Sequence, residues 1–169
     1  MPTGNTWNTA AINGLLLSLI TIVASLLQYL FKIEGMASII LWAAKLGGCI
    51  YLLHYFMKQH SMQYQFLSYG ESFRYGFIVC AFSSTICAAF LFISLTVLFP
   101  GQLDAAVEQM YTIAASANYS DEEIKAIESL SGKLPQITLF TAFIYYTILG
   151  AVFSSIIAAF TKKDDSSAE

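Results

Sequence analysis

The sequence predicts an all-α protein, an integral membrane four-helix bundle with a short extracytoplasmic helical hairpin between the third and fourth spans. Composition is the first reason: 57% of the 169 residues are hydrophobic and 11% are charged, with a mean hydropathy of +0.63. Ordinary soluble domains carry roughly 25% charged residues. Charge segregation is the second. The few charges gather into short stretches and leave four runs of about 20 apolar residues, the length needed to cross a hydrocarbon core roughly 30 Å thick. Residues 1–169 therefore read as a single membrane domain. A net charge of −3, with no Lys/Arg cluster able to follow a phosphate backbone, excludes nucleic acid as a partner.

The first span is placed at 8–31. No charged side chain occurs from Met1 to Phe31, and Trp7 and Tyr29 stand near its ends, where amphipathic rings favour the headgroup level. With no Lys or Arg ahead of it, the run lacks the basic leader of a secretory signal and is expected to remain in the mature protein. The second span, 35–57, follows after only Lys32-Ile33-Glu34-Gly35, so the two helices must be antiparallel neighbours.

The third span, 70–99, is introduced by Ser68, with Glu71 three positions on to complete a capping box. It ends at Phe99-Pro100-Gly101, where proline and glycine both oppose continuation. The fourth, 137–160, follows Leu134-Pro135 and stops at Lys162-Lys163; the polar tail 164–169 is expected to be disordered.

The insert 101–135 is patterned. Leu103, Val107, Met110, Ala114 and Ala117 recur at steps of four and three and mark one helical face. A second short helix should begin at Ser120, which with Glu123 forms another capping box. Its first turn holds Asp121 and Glu122, its stripe is Ile124, Ile127 and Leu130, and Gly132 closes it. Such a hairpin either lids the bundle or offers an acidic docking surface to a partner.

Orientation follows the short loops that hold Lys and Arg. Lys58, Arg74, Lys162 and Lys163 share one side, together with the first residues of the chain, while Lys32 and Lys133 share the other. Both termini are expected in the cytoplasm, with the insert outside.

Each span carries a seam of small or weakly polar residues. These are Gly14, Ser18, Thr21, Ser25 and Gln28 in the first, Gly76, Cys80, Ser83 and Cys87 in the third, and Thr147, Ala151, Ser154, Ala158 and Thr161 in the fourth. Ala44, Gly48 and Tyr51 are the counterpart in the second. Small residues let helix backbones approach, and a spacing near 3.5 keeps one seam toward the neighbours. Serine and threonine there can bond their own backbone carbonyls and need no water path.

Lys45 does not fit this apolar pattern. It falls about 15 Å into the second span, where a charge costs about 2.5 to 3.5 kcal/mol. No Asp or Glu lies in any span interior to compensate it. Counting inward places Thr21, Cys87, Tyr146 and Thr147 at its depth. Lys45, Thr21, Tyr146 and Thr147 are therefore the candidate contacts for an anionic ligand or a partner helix.

No phosphate loop, nucleophile elbow or zinc-protease helix occurs, so neither catalytic residues nor a cofactor site is expected, and the chain is not expected to be an enzyme. Glu71 and Arg74, three apart in the first turns of the third span, suit an interfacial ion pair rather than acid–base chemistry. His54 and His60 lack nearby thiols or carboxylates, so no metal set forms; Cys49, Cys80 and Cys87 read as small packing residues.

The stretch from Leu67 through Ser68-Tyr69-Gly70-Glu71-Ser72-Phe73-Arg74-Tyr75-Gly76 to Phe77, then Pro100, the acidic insert, and the run from Gly150 to Lys163 carry a family likeness. Over essentially its whole length the chain resembles a Bacteroidetes membrane family, domain of unknown function 4199. That resemblance implies a bacterial inner-membrane location and a partner role beside envelope enzymes such as polyprenyl-phosphate glycosyltransferases; it implies no catalytic residues.

Two functions remain open, and the sequence favours the first over the second. One is a non-catalytic membrane subunit or scaffold that partners an envelope-associated membrane enzyme, or a further copy of itself as a homo-oligomer. The other is a small transporter or lipid-handling protein that uses Lys45 as an intramembrane anion-binding group, with membrane lipid as its partner.

Overall fold

The computed structural model describes residues 3–31, 33, 35–117 and 119–163. Six α-helices follow in order: α1 (Thr3–Leu30), α2 (Met36–Ser61), α3 (Tyr69–Ile93), α4 (Pro100–Ser116), α5 (Asp121–Ser131) and α6 (Leu134–Thr161). Among the described residues no strand forms; Leu67 and Lys163 make a single antiparallel backbone pair. The tail 164–169, Lys32 and Glu34 lie outside the described residues.

Four stretches are long and apolar enough to cross a membrane: Thr6–Leu30, Met36–Ser61, Tyr69–Leu98 and Leu134–Thr161. The chain is thus an all-α, multi-pass membrane protein. Its spans differ from the expected ones mainly at their ends. The second runs on to Ser61 and carries Lys58 and His60 in its last turn, where positive charge suits the helix dipole. The fourth begins at Leu134 rather than 137, because Pro135 sits in the first turn, where its missing N–H removes no helical bond. The third does not stop as plain α-helix. It widens over Ser94–Leu98 into a π-helical turn, closed by the Phe99 amide donating to the Ser94 carbonyl over 2.7 Å, before Pro100 starts α4.

Contacts group the chain into two compact units, Met1–Cys87 with Ile144–Glu169, and Ala88–Phe143. In the first unit, α1, α2, most of α3 and the later turns of α6 bury Leu17, Leu53, Met57, Tyr75, Val79 and Ile157. Glycines set the helix spacing. A Cβ on Gly14 of α1 would lie 2.8 Å from the Val79 carbonyl oxygen of α3, and one on Gly150 of α6 would lie 2.5 Å from the Cys80 Cβ. The seams expected on α1, α3 and α6 point inward over most of their length, with Gly14, Ser18, Gly76, Cys80, Ser83, Cys87, Ser154, Ala158 and Thr161 buried and Thr21, Ser25, Thr147 and Ala151 half-buried, but Gln28, the last residue of the α1 seam, is exposed. Two of their hydroxyls bond locally: Ser18 donates to the Leu15 carbonyl over 2.7 Å, and Thr161 to that of Ile157 over 3.1 Å.

The α2 seam is the exception. Ala44 is exposed, Gly48 is half-buried and Tyr51 is 71% exposed, while Leu53, Phe56, Met57 and His60 face inward. The inward face is thus built from large side chains. In a helix that is apolar all round, lipid accepts Tyr51 as readily as a neighbouring helix would, so periodicity alone does not select the buried face.

In the second unit, α4 turns most of its expected face inward, with Leu103, Val107 and Met110 half-buried and Ala114 buried, while Ala117 at its end is exposed. The α5 cap forms as expected: Glu123 accepts from the Ser120 amide over 2.7 Å, and the Ser120 hydroxyl accepts from the Glu123 amide. Gly132 follows α5 with φ −66, an ordinary right-handed conformation that leads directly into α6 rather than a left-handed stop. Ser94 is buried, and its hydroxyl has no partner among the described residues.

Candidate functional site

Lys45 lies about 14 Å along α2 at 1.5 Å per residue and is partly buried. It stands in the wall of a cavity of about 300 Å³ inside the first unit, to which all four spans contribute. Thr21 of α1, Cys49 of α2, Ser83 and Cys87 of α3, and Tyr146 of α6 supply the polar atoms; Leu17, Leu46, Leu53, Leu149 and Phe153 supply apolar wall. No lining residue is acidic, so Lys45 is the one charged group in the cavity. Lining residues Trp42 and Tyr145 are 54% and 52% exposed, which places the mouth between α2 and α6, partway along both helices. A mouth at that depth faces hydrocarbon rather than water.

The helices place these groups for simple reasons. The short connection holds α2 beside α1, and Gly35 at its end, with φ +62, permits a backbone that a side chain would strain. That pairing brings the Thr21 hydroxyl within 3.7 Å of the Cys49 sulfur, one turn from Lys45. Gly150 then admits α6 against Cys80, whose sulfur lies 3.6 Å from the Ser154 hydroxyl. The closeness of α3 and α6 fixes the width of the cavity.

Of the four candidate contacts, Lys45, Thr21 and Tyr146 share this cavity. Thr147 does not. One residue further along α6 is a rotation of about 100°, which turns Thr147 toward α3, where its hydroxyl bonds that of Ser84 over 2.9 Å. Depth alone placed it at the site; helix phase removes it. Sequence reasoning missed the meeting of Cys49, Cys80 and Cys87 in one cavity. The seven-residue step from Cys80 to Cys87 and the four-residue step from Lys45 to Cys49 mark common helix faces.

The expected Glu71–Arg74 ion pair does not form among the described residues. The Glu71 carboxylate instead accepts from the Ser68 amide over 3.0 Å and the Ser68 hydroxyl over 2.8 Å, while the Glu71 amide donates back to Ser68. Capping thus turns the carboxylate back toward Ser68, with both bonds on Oε2. At the same end of the first unit a polar cluster joins the spans. Asn13 donates to the Tyr75 hydroxyl, His60 stacks on the Tyr75 ring, and the Ser61 hydroxyl donates to the Thr161 carbonyl over 2.7 Å. Lys163 donates through Nζ to the Tyr64 carbonyl over 3.0 Å. Among the described residues no group of three His, Cys, Asp or Glu side chains is placed to hold a metal ion.

The second unit has an open groove of about 720 Å³ along α4, lined by Leu103, Val107 and Tyr111 with Asp104 and Glu108, and reaching Ser131 and Gly132. On α5, Ile124 and Leu130 of the expected stripe stay exposed and Ile127 is half-buried.

Residues 10–163 match the family model described as Protein of unknown function (DUF4199). No curated protein and no solved structure matches the chain.

Proposed function

The chain belongs to the DUF4199 family, and from the geometry of its cavity we propose that it is a non-enzymatic lipid-handling or transport protein that holds an anionic amphiphile within the bilayer. One observation carries the reading: Lys45 lines a cavity that has no acidic residue and that opens between Trp42 and Tyr145. An ammonium at this depth is expensive without a counter-charge, and here the counter-charge comes from the ligand. Apolar walls and neutral donors such as Thr21 and Tyr146 are the surroundings a chain with a charged head requires.

We also propose an orientation, with both termini in the cytoplasm and the insert 101–135 outside, which the Lys and Arg count supports through Lys58, Arg74, Lys162 and Lys163, and a bacterial inner membrane, which the family resemblance supports. Native mass spectrometry of the protein extracted gently from its membrane tests the function. The wild type should retain an anionic amphiphile that Lys45→Met loses. Equal retention by both, or a protein that flies empty, refutes the reading.

A second reading is favoured by a different observation. Ile124 and Leu130 on α5 are uncovered beside an acidic first turn, which suits a scaffold whose insert docks on an envelope-associated membrane enzyme. A photo-crosslinker at position 124 should then capture one discrete partner, and a smear of unrelated adducts would reject it.

A further inference from the structure

We propose that the occupant of the Lys45 cavity is a single-chain amphiphile ending in a singly charged group, of the fatty-acid carboxylate type. The inference rests on the binding function proposed above and narrows it by charge, volume and access.

Charge comes first. The lining contains one cation and no carboxylate; its other polar atoms belong to neutral hydroxyls and thiols such as Thr21, Ser83, Tyr146 and Cys49. A monoanion makes the occupied cavity electrically neutral. A phosphate monoester, near two negative charges at neutral pH, leaves one charge unpaired in a low-dielectric wall, where hydroxyl donors compensate it only in part. A neutral ester leaves Lys45 itself without a counter-charge.

Volume is the second limit. A cavity of about 300 Å³ stands at the small end of the range for ligand pockets. A terminal carboxylate fits with a short run of methylenes. A diacyl phospholipid does not, because its phosphate is followed directly by a glycerol from which two chains diverge. Access is the third limit. The remainder of a single chain can leave through the gap between Trp42 and Tyr145, both more than half exposed, and lie in the bilayer. A small soluble carboxylate has no such continuation and meets a mouth that faces hydrocarbon.

Trp42 provides the readout, since it lines the cavity and the only other tryptophan in the chain is Trp7. The experiment uses the full chain carrying Trp7→Phe, in nanodiscs of zwitterionic lipid, and follows quenching of Trp42. The probes are stearic acid brominated at mid-chain, its methyl ester, the matching alkyl phosphate, and an anionic diacyl lipid with brominated chains; non-quenching acetate is added as a competitor. The acid should quench saturably at about a tenfold lower mole fraction than the ester or the alkyl phosphate. Lys45→Arg should keep the preference and Lys45→Met should abolish it.

The acid-to-ester comparison uses the wild-type Lys45, so it stands even if a variant fails to fold. Quenching by the ester or the alkyl phosphate as strong as that by the acid overturns the charge assignment. Equal quenching by the diacyl lipid, or competition by acetate, overturns the single-chain assignment while leaving an anion-binding cavity in place. If no brominated probe quenches above the bilayer background, the proposed function falls with the inference.

Discussion

Asn13 of α1 donates through Nδ2 to the hydroxyl of Tyr75 on α3 over 2.8 Å, with both side chains buried. The opposite demand on Tyr75 comes from His60 of α2, whose ring stacks on it with centroids 3.7 Å apart and planes 4° from parallel. One tyrosine thereby joins three spans, by its edge and by its face.

Removing only the hydroxyl separates these two roles. Tyr75→Phe keeps the stack and strands the Asn13 amide, so it should cost about 0.6 to 2 kcal/mol, the range for interhelical hydrogen bonds in membranes. Adding Asn13→Leu should recover part of that loss, because an unmatched polar group is removed with its partner. Unfolding titrations in mixed micelles measure both; a Tyr75→Phe protein as stable as the parent would show the bond contributes nothing.

Gly150→Ala should be worse than its single methyl suggests. The new Cβ would meet the Cys80 Cβ at 2.5 Å, and neither atom can swing aside as the tip of a flexible side chain could. Overpacking of this kind costs about 1 to 3 kcal/mol. Since Gly150 and Cys80 both line the Lys45 cavity, binding of an amphiphile should change with stability. Normal melting together with normal binding would mean that α6 shifts freely.

Lys45→Met should raise the stability of delipidated protein, by up to about 3 kcal/mol, because it removes a charge that has no acidic neighbour in its cavity. In protein saturated with an anionic amphiphile the gain should shrink or reverse, since only the lysine form is stabilised by binding. Thermal melts with and without added amphiphile check this. A lower melting temperature for the variant in the delipidated state would show that Lys45 is a structural anchor instead.

The α5 cap makes a prediction about acid. Hydrogen bonds from the Ser120 amide, then from its hydroxyl, hold the Glu123 carboxyl below its ordinary value of 4.5. A depressed folded-state pKa means the stabilisation is fully present above 4.5 and fades as the pH falls through the lower folded value. Amide exchange in the first turn of α5 should therefore quicken in the wild type as the pH drops below about 4, after correction for intrinsic rates. Glu123→Gln should flatten that dependence. Identical profiles for the two proteins would remove the carboxylate from the cap.

Much of the molecule is legible from residue order because its causes are local. Four long apolar runs require lipid wherever their neighbours lie, and Ser68 with Glu71, or Ser120 with Glu123, caps a helix through residues three apart. Lys45 is conspicuous for the same reason: a charge inside an apolar run shows its cost in the sequence.

Helix phase is different. Tyr146 reaches the cavity and Thr147 does not; Leu53 and Met57 face inward while Tyr51 faces out. For a soluble helix, water would distinguish these faces, but lipid and a neighbouring helix are almost equally apolar. The sequence by itself determined the number of spans, their caps and the depth of Lys45. Only the tertiary structure decided which side chains share its cavity, because close contacts such as Gly14 with Val79 and Gly150 with Cys80, rather than hydropathy, set how each helix is turned.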